Sequence, residues 1–270
     1  MAQSLDAIHI YDAPDAIGLD IGVVGRFLAE LLPETKVETR TDFFTYQLGK
    51  FDPEQVEVLT DQIAARLEER EVYNLVHPDL RDETSPVTPE ERDLGVVYRA
   101  EPLQAVMRPV ISQEERAESH LHIVYLTQCL GRFERDRPLL TLQIIQHGQP
   151  TVISTTGFVE VPELPREYTF RRAQMVTMGA DDAIEELDER FAQNALRHGD
   201  ERITRVAVGY ALQALFERIF GERGCDDPRC SLYQASTHDE LYEAHLSEDS
   251  GLCERHMRML IDWRENESSG

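Results

Sequence analysis

Three cysteines and one histidine near the C-terminus have the spacing of a metal site. They follow the pattern Cys225-x4-Cys230, a gap of 22 residues, and then Cys253-x2-His256. Zinc prefers four such ligands in a tetrahedron, and two close-set pairs supply two ligands each. A closed Cys3His set leaves no open coordination position, so we predict one structural zinc ion. The alternative is that the cysteines are buried apolar residues and that His256 caps a helix.

The segment that precedes these cysteines resembles a known active-site region. Residues 200–220 form an amphipathic pattern that ends at Gly221, and residues 214–225 read ALFERIFGERGC. The spacing is similar to that of archaemetzincins, zinc peptidases of the metzincin group. Their pattern is HExxHxxGxxH, an immediate cysteine, x4-Cys, x-Met, a spacer and Cys-xx-Cys. Gly221 matches the turn glycine and Leu232 stands at the Met-turn position. The four cysteine positions of the family correspond to Cys225, Cys230, Cys253 and His256.

The catalytic residues of that pattern are missing from this chain. The three zinc-binding histidines of the family correspond to Ala214, Arg218 and Gly224, and the general-base glutamate corresponds to Leu215. A metzincin needs those histidines to bind the catalytic zinc and the glutamate to activate water. The resemblance therefore implies a degenerate metallopeptidase with no catalytic residue at these positions, which keeps the structural zinc and binds a peptide or protein in the vestigial cleft.

Other histidines leave a second metal site open. His120 and His122 are two residues apart on a predicted strand, so they share one face, and His147 or His238 could complete a site. The favoured interpretation is that they are polar residues of an edge strand facing water. We also expect His238 and His245 to be surface residues. Two alternative functions follow: an active zinc hydrolase or peptidase with a relocated metal site, and a zinc-bound interaction module without peptidase ancestry.

The charge of the chain is strongly negative. Fifty-one Asp and Glu face 27 Lys and Arg, which gives a net charge of −24, and only Lys36 and Lys50 are lysines. The acidic residues are dispersed, which is typical of halophilic archaeal proteins, because self-repulsion is screened within about 3 Å in 1 M salt. A rival interpretation is an acidic protein that mimics nucleic acid or binds basic partners. Binding to a nucleic-acid phosphate backbone is not expected.

The elements that must position these residues suggest an α/β (α+β) fold of the zincin type, with a mixed β-sheet. The predicted strands are residues 7–12, 36–44, 120–127, 139–147 and 151–161, and the predicted helices are residues 17–32, 52–70, 181–196, 200–220, 237–246 and 254–263. We expect residues 162–180 to form a loop or strand. Cys129 stands apart from the other cysteines, and we expect it to be a small buried residue.

The chain is expected to form a single archaemetzincin-like domain over residues 1–270. Within it we expect a long irregular insertion at residues 80–118 and a zinc-bound C-terminal part at residues 221–265. No apolar run reaches the roughly 18 residues that span a bilayer, so no membrane partner is expected. No secretory signal is seen at the N-terminus, so a cytoplasmic location is expected. Four cysteines in such a chain argue against a disulfide framework.

Overall fold

The computed structural model of the chain describes residues 3–68, 97–133, 140–163, 166–192 and 195–267. Its strands are β1 (Ala7–Tyr11), β2 (Lys36–Arg40), β3 (Val97–Arg99), β4 (His120–Leu126), β5 (Cys129–Phe133), β6 (Leu140–Gln143), β7 (Ile145–Gln146) and β8 (Thr151–Ser154). Its α-helices are α1 (Ile21–Leu31), α2 (Phe43–Leu48), α3 (Pro53–Glu68), α4 (Ala100–Met107), α5 (Gly157–Glu160), α6 (Arg166–Met178), α7 (Asp181–Ala192), α8 (Ile203–Phe220), α9 (His238–His245) and α10 (Glu254–Glu267).

The larger sheet confirms the predicted α/β class with mixed strand directions. Its strand order is β2-β1-β4-β8-β7, in which the first four strands are parallel and β7 is antiparallel at one edge. Helix α1 makes the crossover between β1 and β2 that a parallel pair requires. It begins at residue 21 rather than 17 because the Asp20 side chain accepts a hydrogen bond from Val23 N and caps it.

Helices cover both faces of the larger sheet. On one face, Ile8, Ile10, Ile123 and Tyr125 pack with the apolar side chains of α1 and α8. On the other face, residues of alternate parity pack against α2 and α4; they include Tyr11, Val124, Leu126, Phe43, Leu103 and Met107. Alternation along each strand sends neighbouring side chains to opposite faces. We call these the α8 face and the α4 face of the sheet.

Helix α8 is the most enclosed helix of the fold. Twelve of its residues are buried, including every residue from Gly209 to Phe216. A helix that is apolar all round is buried on all sides. It ends at Gly221, which adopts the left-handed conformation at φ 71° and whose N–H donates to Glu217 O over 2.9 Å. This is the helix end with a glycine turn that the sequence predicts.

The insertion expected at residues 80–118 is wrong as an irregular segment where the structure describes it. Residues 97–116 form β3, α4 and two short 3-10 turns, Arg108–Val110 and Glu114–Arg116. β3 belongs to a second sheet of order β3-β5-β6. The pattern of four prolines suggested a loop, but Pro102 lies in the first turn of α4, where its missing N–H costs nothing. Residues 80–96 lie outside the described part of the chain.

Three further expectations are corrected. The predicted strand 139–147 is divided between two sheets, with β6 pairing β5 and β7 pairing β8. The strand expected to run to residue 161 ends at Ser154, and α5 follows it. Residues 166–178 form α6, where we expected a loop or strand; its many polar residues masked the helical pattern. The turn at residues 147–150 does join two antiparallel strands, and the Gln149–Pro150 peptide in it is cis.

The remaining elements agree with the sequence to within a few residues. Asp52 accepts a hydrogen bond from Gln55 N at the start of α3, as a capping residue should. Thr237 and Glu240 form a capping box that starts α9. Cys129 is fully buried in β5, as expected. Within the described residues, no helix is both long enough and apolar enough to cross a membrane.

Candidate functional site

The Cys/His cluster is assembled from the loop after α8 and the start of α10. Cys225 forms an isolated bridge with Tyr233, and Cys230 forms one with Gly251, so the two ends of the loop are held together. Cys253 immediately precedes α10, and His256 lies in its first turn. Side chains three residues apart share one face of a helix, which places Cys253 and His256 side by side. The C-terminal loop thus brings all four predicted ligands together.

The spacing of the four ligand atoms fits a tetrahedral zinc ion. Cys225 Sγ lies 3.9 Å from Cys253 Sγ. His256 Nδ1 lies 3.5 Å from Cys230 Sγ and 3.2 Å from Cys253 Sγ. Zinc–sulfur bonds of about 2.3 Å and zinc–nitrogen bonds of about 2.05 Å would separate such ligands by about 3.6–3.8 Å. The donor set and its spacing therefore fit zinc.

The electrostatics of the cluster also favour a metal. Burial raises the pKa of the Cys230 thiol to about 12 and also raises the pKa of Cys225, so thiolates there need a cation. Two backbone amides already point at sulfur: Asp227 N is 3.4 Å from Cys225 Sγ and Cys253 N is 3.5 Å from Cys230 Sγ. Burial and Arg255 lower the pKa of His256, which keeps its ring neutral as a ligand must be.

The positions that correspond to a metzincin catalytic site are closed. Ala214 and Leu215 are fully buried in the core on the α8 face of the sheet. Arg218 is half-buried, and its Nε and Nη2 atoms are enclosed without a hydrogen-bond partner among the described residues. The side chain of Glu217 is largely buried and accepts a hydrogen bond from Arg223 Nη2 over 3.0 Å. Leu232, at the Met-turn position, is buried in the same core.

A second cluster lies on the α4 face of the sheet. His9 on β1 is directly opposite His122 on β4, and His120 is opposite Ala7. One ring nitrogen from each of His9, His120 and His122 lies within 4.8 Å of the others. The expectation of a water-facing edge strand is wrong, because β4 is central in the sheet and His122 is fully buried. The expected partners His147 and His238 do not join this cluster; His9 does.

Charged residues of three elements surround the three histidines. The buried Arg40 guanidinium on β2 bonds both carboxylate oxygens of Glu115, at 2.7 and 3.0 Å, and one of Glu38 at 2.7 Å. It also donates to Tyr11 Oη over 2.8 Å. Sequence reasoning missed His9, Arg40 and Glu115. The alternation of AIHIYD places His9 and Tyr11 on one face, but the pairing of β1 with β4 joins residues 111 positions apart.

The two histidines of α9 are inside the protein, which corrects the expectation that they lie on the surface. His238 and His245 are 5% and 3% exposed. His245 packs against Tyr210 with ring centroids 5.1 Å apart, and neither of its ring nitrogens has a hydrogen-bond partner in the described structure. Burial lowers the pKa of His245 to about 4. His238 packs edge-on against Phe191. Both residues are structural in this setting.

A comparison with protein families decides the ancestry of the chain. The model of the "Probable metallopeptidase family (DUF6775)" matches residues 4–263. The chain belongs to this family. The resemblance to zinc metallopeptidases that the cysteine spacing indicated is thereby confirmed, and a module without peptidase ancestry is excluded. The family name implies a metal, and the described part of this metallopeptidase-family chain holds two clusters that could bind one.

Two further comparisons were made for this metallopeptidase-family chain. The crystal structure of archaemetzincin from Methanopyrus kandleri matches with a TM-score of 0.45 and 14% identity, over 96% of this chain and 94% of that one. At this TM-score the fold class rests on the sheets and helices described above. No curated protein matches the chain.

Proposed function

We propose that this chain is a degenerate member of its metallopeptidase family. In this proposal it keeps one structural zinc ion at Cys225, Cys230, Cys253 and His256 and does not hydrolyse peptides at α8. The observation that carries the proposal is the contrast between the two halves of the C-terminal region. Four zinc-compatible ligand atoms converge after Gly221, whereas α8 offers no histidine before it.

Burial supports the absence of chemistry at α8. A metzincin site needs two imidazoles one helical turn apart that face an open cleft. Ala214 and Leu215 instead contact core side chains, so no solvent or substrate reaches the positions of the first histidine and the glutamate. Arg218 adds a positive charge where the second histidine of the pattern would bind zinc. A cation at that position opposes metal binding rather than supporting it.

The proposed molecular role is binding. The chain would bind a peptide or protein ligand near the C-terminal end of α8, where Arg218 has two enclosed N–H groups without a partner. Buried donors of this kind are costly unless a ligand or water satisfies them. We further propose that the chain works in the concentrated cytoplasmic salt of a haloarchaeon, since its net charge of −24 is dispersed along the sequence.

Metal analysis of tag-free protein in molar KCl tests the structural zinc. We expect the purified protein to hold one zinc ion that C230S or H256A removes. The matched control is C129S, which changes a buried cysteine outside the cluster and should keep its zinc. A protein purified without zinc, or one whose zinc survives C230S, overturns this part of the proposal. Cleavage of a peptide library by the wild-type protein overturns the degenerate assignment.

An active zinc hydrolase with a relocated metal site is the second candidate. The observation in its favour is that His9 completes a three-histidine cluster with His120 and His122 on the α4 face. Hydrolysis that disappears in H120A, while the zinc removed by C230S is retained, would select this candidate. Hydrolysis unaffected by H120A excludes it.

A further inference from the structure

The three histidines of the α4 face come from two neighbouring parallel strands. His9 and His122 are paired in register, and their ring centroids are 4.7 Å apart. His9 Nε2 lies 2.9 Å from His120 Nδ1. His9 and His122 are buried, whereas His120 is half-buried and forms the side of the cluster nearest to solvent. The cluster lies on the opposite face of the sheet from α8, so it is separate from the family's expected catalytic region.

Hydrogen bonds orient the two buried histidines. The backbone oxygen of Glu115 can only accept, so His122 Nε2, 2.8 Å away, carries the proton and His122 Nδ1 keeps its lone pair. The ionised carboxylate of Glu38 likewise accepts from His9 Nδ1 over 3.2 Å, which leaves the lone pair on His9 Nε2. Metal-binding histidines are oriented in this way, by a carboxylate or carbonyl on the other ring nitrogen.

We propose that His9, His120 and His122 bind a divalent transition-metal ion, such as Zn²⁺ or Co²⁺, independently of the Cys3His cluster. Neutral imidazoles suit these ions, whereas Mg²⁺ and Ca²⁺ prefer oxygen ligands. His120 joins by moving its proton from Nδ1 to Nε2, which frees Nδ1 for the metal. Three nitrogen ligands leave a coordination position open for water or an anionic ligand, unlike the closed cysteine site.

The charges around the cluster are compatible with a cation. Arg40 is the buried positive group nearby, and it is ion-paired with both Glu38 and Glu115. Its charge is therefore matched by two carboxylates before any metal enters. Tyr11 Oη, 3.0 Å from His122 Nδ1, must give up its hydrogen bond to that nitrogen or stay as a neighbour of the metal. A closed hydrogen-bond network without a metal is the competing explanation of the same contacts.

Titration of metal-free, tag-free protein with Co²⁺ separates these explanations. Thiolate ligands give Co²⁺ sulfur-to-metal charge-transfer absorption, and an all-nitrogen site does not. We expect wild-type protein to bind two equivalents, one with the charge-transfer band and one without. H120A should lose the second equivalent and keep the first with its band. The matched control H198A, which removes an exposed histidine outside the cluster, should bind both.

The possible outcomes are distinct. Binding of a single, thiolate-type equivalent by the wild-type protein shows that the histidines form a hydrogen-bond network only and overturns this inference. Retention of the nitrogen-type equivalent in H120A also overturns it. If H120A proves unstable, H120N keeps a polar side chain and serves as the second variant, with circular dichroism as the check on folding. Loss of the thiolate band with the nitrogen-type equivalent retained contradicts the proposed structural zinc and leaves this inference intact.

Discussion

Gly209 of α8 lies directly against the ring of His245 of α9. A β-carbon built on Gly209 would be 2.1 Å from His245 Nδ1 and 2.6 Å from His245 Cε1. The contact is in the core, where rings cannot move into solvent. We therefore expect G209A to destabilise the protein by about 1–3 kcal/mol, the usual cost of overpacking a core. Urea unfolding in molar KCl measures the change in the free energy of unfolding.

A double-mutant cycle shows whether the contact is the cause. G209A/H245A removes the ring that the new methyl group meets, so G209A should cost much less in the H245A background. G224A is the matched single control, because a β-carbon there meets its nearest neighbour at 3.5 Å, an ordinary contact. Equal costs of G209A in both backgrounds would show that His245 is not the obstacle.

His245 should also make stability depend on pH. Its pKa is lowered to about 4 in the folded protein by burial, against 6.5 in the unfolded chain. Its neutral form is therefore a source of stability above pH 6.5 that is lost as pH falls toward 4, at up to about 1.4 kcal/mol per pH unit. H245Q removes this titration. We expect the stability difference between wild type and H245Q to shift toward the variant between pH 6.5 and 4.5; a constant difference contradicts the assignment.

Arg40 links β2 to the segment before β4. Its buried guanidinium forms a bidentate ion pair with Glu115 and a further bond with Glu38. Removing one partner of a buried ion pair costs about 3–5 kcal/mol, because the other charge is left without compensation. We expect R40M to lose about that much in urea unfolding, and R40K to lose less because it keeps the charge but not the fork. R258M, which breaks an exposed pair with Glu254, should change stability by less than about 1 kcal/mol.

The parts of this fold that sequence predicts well are specified by nearby residues. Asp52 and Thr237 cap α3 and α9 through side-chain bonds within three residues, and Gly221 ends α8 by its own backbone conformation. The Cys/His cluster belongs to the same class, because Cys-x4-Cys and Cys-x2-His are short-range patterns. Local chemistry was sufficient in each case.

The parts that sequence missed depend on contacts between distant segments. His9 meets His120 only because β1 pairs in parallel with β4, and Arg40 meets Glu115 across 75 residues. The run at residues 139–147 was predicted as one strand, and nothing local indicated that it divides between two sheets. His245 was expected on the surface because its own helix is polar; its burial comes from Gly209 on another helix. Strand order and helix packing decide all of these positions.

The negative charge should make the fold dependent on salt. With a net charge of −24, repulsion between carboxylates opposes folding at low ionic strength, and screening relieves it. We expect the unfolding temperature, measured by circular dichroism, to rise steadily as KCl increases from about 0.1 M to about 2 M. An unfolding temperature that stays flat or falls with KCl contradicts the halophilic assignment and favours an acidic protein made to bind basic partners.

The zinc ion should stabilise the C-terminal region more than the sheet. The cluster joins the loop after α8 to α10, and the main anchor of α10 in the core is Leu260 with Trp263. Chelation should therefore raise amide hydrogen exchange mainly at residues 222–256, while β1 and β4, buried between helices on both faces, keep their protection. C253S should reproduce the pattern without chelator, and C129S should not. Equal loss of protection in β4 and in the C-terminal loop would show instead that the zinc and the sheet unfold as one unit.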